Sequence, residues 1–177
     1  MPEITIKENN IKDAVKVLST IPEFEYSFSE ESLKKELKGK KYLIVVGYVD
    51  GNPAGCAVSF DRFGDDSLYC WLVGVNPNFR GLGIMALMME YQEKWAKSNH
   101  YKVLRIKTRN DSRSMLKYLI KDNFNIIDVH SPKNFRGNVA KKYYNLVILK
   151  VIYILKGLLK LETGESEKNR IMLEKYL

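Results

Sequence analysis

Cysteine and histidine are scarce in this chain of 177 residues, which holds only Cys56, Cys70, His100 and His130. Two cysteines are too few for the disulfide framework of a small secreted domain, and in a reducing compartment both are expected to be free thiols. The four residues lack metal-ligand spacing, so zinc chemistry is excluded and no metal is expected. Long hydrophobic runs are also missing. The most apolar stretch, residues 146–161, is broken by Lys150, Lys156 and Lys160 and is too short and too charged to span a bilayer. The first residues, Met1-Pro2-Glu3-Ile4, contain neither a basic n-region nor an apolar h-region, so a cytoplasmic location is expected. Nor is there a run of five or six like charges. Lysine and arginine are scattered along the chain, which argues against a basic nucleic-acid-binding tail.

What is present describes an ordinary globule: 45% hydrophobic and 28% charged residues, in a chain long enough for one sizeable core and cramped for two. The formal charge of +8 points to an anionic partner without saying which.

Period-two and period-3.6 patterns divide the chain. Ile4 to Ile6 alternates like a short strand. Asn10 then precedes a helical pattern with Ile11, Ala14, Val15 and Leu18 on one face, ended by Pro22. Ser29 opens a second short helix, stopped by Gly39. Three runs rich in β-branched and aromatic residues follow, at residues 42–49, 54–60 and 67–75, separated by Asp50-Gly51-Asn52 and Phe63-Gly64-Asp65. They read as an antiparallel meander. A hairpin centred on Phe63 would set Cys56 opposite Cys70. Residues 84–97 read as a helix, with Ile84, Leu87, Met88, Tyr91 and Trp95 on one face and the pairs Glu90/Lys94 and Glu93/Lys97 on the wet face. A strand at 101–108, a helix at 112–121 with Met115, Leu116, Leu119 and Ile120 inward, and strands at 124–129 and 143–152 complete the pattern. Strands joined first by hairpins and then through helices define an α/β fold, a mixed, mostly antiparallel central sheet flanked by helices. Residues 1–152 would form that domain, and 153–177 a C-terminal extension of one or two amphipathic helical pieces.

The segment with chemical content is Val73-Gly74-Val75-Asn76-Pro77-Asn78-Phe79-Arg80-Gly81-Leu82-Gly83-Ile84-Met85, between a strand and a helix. Gly81 and Gly83 let the backbone turn sharply, and the first helical turn leaves N–H groups unpaired at a positive dipole end. That combination suits a pyrophosphate. Its context matters more than its letters, because Asn134-Phe135-Arg136-Gly137 repeats Asn78-Phe79-Arg80-Gly81 with no helix behind it. Gly81-x-Gly83-x-x-Ala86 also satisfies a relaxed dinucleotide fingerprint, with Arg109 ending the next strand. The hairpin-joined strands before it and the residues separating strand from glycine oppose that reading.

The segment resembles the acetyl-CoA-binding motif of GNAT-type acetyltransferases, Arg/Gln-x-x-Gly-x-Gly/Ala, with Arg80 and Gly83 at matching positions and Met85 where the family has a small residue. The resemblance implies a GNAT-like N-acetyltransferase domain with acetyl-CoA as co-substrate, bound by Val73, Gly74, Val75, Arg80, Gly81, Leu82, Gly83, Ile84, Met85 and Asn110. It further implies that the Val75 N–H faces the thioester carbonyl. Where relatives carry a general-acid tyrosine, five residues before Phe124, this chain has Leu119, and Tyr118 is the nearest replacement. No carboxylate lies between Ser67 and Val75 to serve as base. The loop 23–28, with Glu25, Tyr26 and Phe28, offers acids beside aromatic faces able to hold a cationic amine. The expected partner is a small-molecule or peptide amine, with no nucleic acid; a homodimer through the C-terminal tail stays open. The alternative is a catalytically silent acyl-CoA sensor or assembly protein of the same fold.

Overall fold

The computed structural model describes residues 2–24, 26–130 and 170–177. The chain runs β1 (Ile4–Glu8), α1 (Ile11–Leu18), α2 (Glu30–Leu37), β2 (Tyr42–Val49), β3 (Asn52–Asp61), β4 (Ser67–Val75), a 3₁₀ turn (Pro77–Phe79), α3 (Ile84–Ser98), β5 (Val103–Arg109), α4 (Arg113–Lys121), β6 (Asn125–His130) and β7 (Arg170–Tyr176). These seven strands form one sheet in the order β1-β2-β3-β4-β5-β7-β6. Only β4 and β5 pair in parallel, joined by α3 as the crossover; the remaining pairs are antiparallel. Among the described residues no helix is long and apolar enough to cross a membrane, and no group of histidine, cysteine and acidic residues is arranged to hold a metal.

Local signals place the early elements. The Asn10 side chain caps α1 through the Asp13 N–H at 3.0 Å, and Ser29 with Ser32 forms a reciprocal cap on α2. Helices α1 and α2 cover one sheet face over Val46, Cys56, Val58 and Phe60. Helix α3 covers the other face, with Ile84 and Met88 on Val45 and Ala57, and Met89 meeting the Leu116 and Leu119 of α4. Leu87 and Ile120, expected inward, are largely exposed, and Glu93 pairs at 2.7 Å with Lys175 of β7 rather than with Lys97.

Two further expectations are corrected. Cys56 stands opposite Gly74 and Cys70 opposite Ser59, because the β3–β4 turn is centred beyond Phe63 and Trp71 is an extra residue in β4. The cysteines lie on opposite faces of the sheet, packed in separate clusters. Burial pushes the Cys56 thiol well above its usual range and Cys70 up to about 12, so both are inert. Arg170–Tyr176, placed by sequence in a helical extension, is instead a strand inserted between β5 and β6. Its faces explain why: Ile171 and Leu173 enter the α3/α4 core, Lys175 meets Glu93 and Asp122, and Glu174 on the other side meets Arg105 at 3.2 Å. The strand expected at residues 143–152 lies outside the described residues.

Candidate active site

The site begins where the sheet divides. The parallel pairing of β4 with β5 ends at Cys70 and Ile106, yet β4 continues to Val75 and β5 to Arg109. The extra residue Trp71 sits at the point of divergence. Beyond it a cleft of ≈ 970 Å³ opens between the strands, lined by Leu72, Val73, Gly74 and Val75 on one side and Ile106, Lys107, Thr108 and Arg109 on the other.

Register decides which backbone groups face this cleft. The Asn76 N–H donates to the Ala54 carbonyl at 2.8 Å, so Asn76 and Gly74 turn their polar groups toward β3. Val73 and Val75 turn theirs the other way, into the split. The Arg80 side chain confirms the direction: its Nε donates to the Val75 carbonyl at 3.1 Å. Gly74 also lines the cleft, and a Cβ there would come within 2.5 Å of Ile21 Cδ1, so the α1–α2 loop seats against this strand only because the residue is glycine.

At one end of the cleft lies the start of α3. Gly81 and Gly83 have φ of 84° and 82°, a backbone conformation that costs other residues about 1–2 kcal/mol. Gly83 is the N-cap and supplies no side chain, and the first intrahelical bond runs from the Leu87 N–H to the Gly83 carbonyl. The N–H groups of Ile84, Met85 and Ala86 therefore have no intrahelical partner. A Cβ built at Gly81 or Gly83 meets nothing within 4 Å, which leaves an open cradle over those donors. Gly81, Gly83, Ile84 and Met85 line the cleft, whereas the Leu82 side chain points outward and is 40% exposed. These residues fit a phosphate-bearing ligand by backbone donors and dipole alone.

Arg80 is not aimed at that cradle. Its Nη2 donates to Glu23 Oε2 at 2.8 Å, and Arg109 Nη1 donates to the Glu23 carbonyl at 3.1 Å. The two arginines thus clamp Glu23, and the Arg80 hydrogen bond holds its carboxyl below the usual glutamate value. A carboxylate in that state is a weak base. It is also not available to attract an ammonium, as the sequence suggested for this loop. Of the loop residues singled out, Tyr26 is 58% exposed and lines the cleft, and Glu25 lies outside the described residues. Phe28 is corrected to a core role: its ring packs edge-on against Phe24 and Trp71, at 5.5 and 6.0 Å between centroids.

Helix α4 presents Ser114, Met115 and Tyr118 to the cleft and turns Leu116 and Leu119 into the core. One residue along a helix rotates a side chain by roughly 100°. Leu119 is accordingly closed off and Tyr118 reaches the cavity. The Tyr118 hydroxyl has no hydrogen-bond partner among the described residues; burial, then the charges of Asp122 and Glu93, push it well above its ordinary value and keep it protonated. Asn110 does not line the cleft; its Oδ1 lies 3.5 Å from Arg113 Nη1, while the neighbouring Asp111, Ser112 and Arg113 do line it. Sequence reasoning missed the contributions of Arg62, Lys107, Arg109 and Arg170. The alternation Arg105, Lys107, Arg109 along β5 was the signal available for the two that β5 carries.

The split sheet and glycine cradle define the class. The acetyltransferase (GNAT) family profile matches residues 12–121, more than half of the chain, and the chain belongs to this family. Solved structures agree in fold. The ribosomal-protein-S18-alanine N-acetyltransferase of Escherichia coli superposes with a TM-score of 0.70 at 14% identity, covering 98% of this chain and 94% of that one. A GNAT family acetyltransferase from Elizabethkingia anophelis with acetyl-CoA bound gives 0.63 at 18% identity, covering 98% of each chain. A Bacillus subtilis acetyltransferase in complex with CoA gives 0.64 at 13% identity, covering 100% and 99%. Identities this low carry the fold and nothing finer. No curated protein sequence matches the chain.

Proposed function

We propose that the protein transfers an acetyl group from acetyl-CoA to a primary amine by direct attack while both substrates are bound. The observation that carries this reading is the continuity of the cleft: uncapped helix donors at one end, the inward-turned backbone of Val73 and Val75 in the middle, and an aromatic mouth at the other. The acetyl-CoA and CoA bound by the Elizabethkingia and Bacillus structures support the choice of co-substrate. A cytoplasmic setting suits that co-substrate.

In this reading Gly81 to Met85 hold the pyrophosphate through backbone N–H groups, and Val73 and Gly74 flank the pantetheine arm. Leu82 contributes backbone only, and Asn110 stands outside the cleft. The Val75 N–H polarises the thioester carbonyl and stabilises the oxyanion that develops on attack. The amine nitrogen bonds to the carbonyl carbon, the C–S bond breaks, and the thiolate takes the proton of Tyr118 or is stabilised by a hydrogen bond from it. The amine's own proton leaves to solvent, since Glu23 is held by Arg80. At pH 7 an α-amine with pKa near 8 loses that proton for about 1.4 kcal/mol, against about 4.6 kcal/mol for a lysine-type amine. The weaker base is the better acceptor.

Incubation with acetyl-CoA and a pooled amine library, followed by thiol release, tests the reading. Release above background with an acetylated amine in the products is the expected result. Calorimetric binding of acetyl-CoA without release for any amine would sink it and favour a silent acyl-CoA sensor.

A further inference from the structure

The cleft wall opposite the glycine cradle is basic. Along β5, Leu104 and Ile106 enter the α3/α4 core, so Arg105, Lys107 and Arg109 share the opposite face of the sheet. Arg105 is enclosed by Asp65 at 2.6 Å and Glu174 at 3.2 Å and does not line the cleft. Lys107 and Arg109, further along the strand, do. Arg170, the register partner of Arg109 on β7, joins them. Arg62 adds a fourth cation from the β3–β4 loop, its guanidinium stacked 5.1 Å over the Tyr69 ring.

Carboxylates lining the described cleft are Glu23 and Asp111, and each already accepts from an arginine: Glu23 from Arg80, Asp111 from Arg109 at 3.0 Å. Cations therefore outnumber anions here. The surrounding Phe63, Tyr69, Trp71 and Met172 are poorly polarisable walls that concentrate the field instead of screening it. The phosphates of the co-substrate belong at the α3 end, on the other side of Val75, so they do not account for this charge.

We propose, on the acyl-transfer reading above, that the acceptor is an amine carrying an anionic group beside it, with Arg62, Lys107, Arg109 and Arg170 holding the anion while the nitrogen points to Val75. Guanidinium groups match a carboxylate or phosphate in forked geometry, which fixes the acceptor's orientation as well as its affinity. The same cations disfavour the ammonium form of the amine and promote its deprotonation where no free carboxylate base is at hand. An acceptor whose only charge is its ammonium would be repelled by this wall.

Matched pairs differing only in the anion test the proposal: glutamate against glutamine, tripeptides beginning with Glu against the same beginning with Gln, and phosphoethanolamine against ethanolamine. Thiol release gives kcat/KM for each, and calorimetry on CoA-saturated protein gives affinity for the N-acetylated products. The anionic member should be favoured by about 10-fold or more in at least one pair, the amount expected of a hydrogen bond to a charged group. In an Arg62→Gln/Lys107→Gln variant with unchanged CoA affinity that ratio should fall toward unity. The pair that responds separates a free metabolite from a peptide. Neutral members equal or better in every pair, or no product binding by protein that does bind CoA, would overturn the proposal. Failure to bind CoA at all would instead remove the acyl-transfer reading on which it rests.

Discussion

Gly83→Val places a β-branched side chain at φ 82°, at the N-cap of α3 and within the cradle. Two effects follow, and they separate. The left-handed backbone costs about 1–2 kcal/mol for a residue with a Cβ, more for a branched one, and this lowers stability wherever it occurs. Gly51 provides the control, with φ 77°, no atom within 4 Å of a built Cβ, and a place in the β2–β3 turn outside the cleft. Gly51→Val should therefore show a similar loss, roughly 2–6 °C in Tm. Only Gly83→Val also fills the space above the Ile84, Met85 and Ala86 donors. Charge-assisted hydrogen bonds contribute about 1.5–3 kcal/mol each, so losing two raises the Kd for acetyl-CoA by roughly 10²-fold or more. Calorimetric titration of both variants, with circular dichroism to confirm folding, reads the difference. Wild-type affinity in a folded Gly83→Val protein would refute the cradle as the pyrophosphate site.

Tyr118→Phe removes one hydroxyl and should lower kcat by about 10²-fold while the Kd for acetyl-CoA stays within twofold; near-normal turnover would return Tyr118 to a packing role. Ser59 and Gln92 form a buried hydrogen bond between β3 and α3. Ser59→Ala strands the Gln92 oxygen, costing about 1–3 kcal/mol and a Tm drop of roughly 2–10 °C, whereas a shift under 1 °C would mean the amide finds another partner. The Glu23 carboxyl is lowered by Arg80, so its folded value lies under its unfolded one. The ion pair's contribution is then full above about pH 4.5 and is lost as pH falls through the folded value. Trp71 fluorescence, which reports the loop through Phe28, should be flat from pH 8 to 5 and change below that. The transition should move upward in 0.5 M salt and vanish in Glu23→Gln; a transition that persists in that variant would assign it to another group.

Sequence alone determined what depends on neighbours along the chain. β2 and β4 begin and end where β-branched runs and turn residues place them, Asn10 and Ser29 cap the helices they precede, and a strand, two glycines and a helix identify the family motif. These signals are local because helix periodicity, capping and turn geometry involve residues only a few positions apart. Tertiary structure decided the rest. The tail strand Arg170–Tyr176 enters the sheet because β5 and β6 present a place for Leu173 and partners for Glu174 and Lys175, none of which adjoins it in sequence. The offset between Cys56 and Cys70 comes from the register shift at Trp71, and the split that makes the cleft comes from β4 leaving β5 there. Likewise Glu23 read as an acid awaiting a cationic amine until Arg80 and Arg109, distant in the chain, were seen to hold it. Register, strand order and ion pairing are set by which surfaces meet on folding, and a one-dimensional pattern carries their ingredients without their positions.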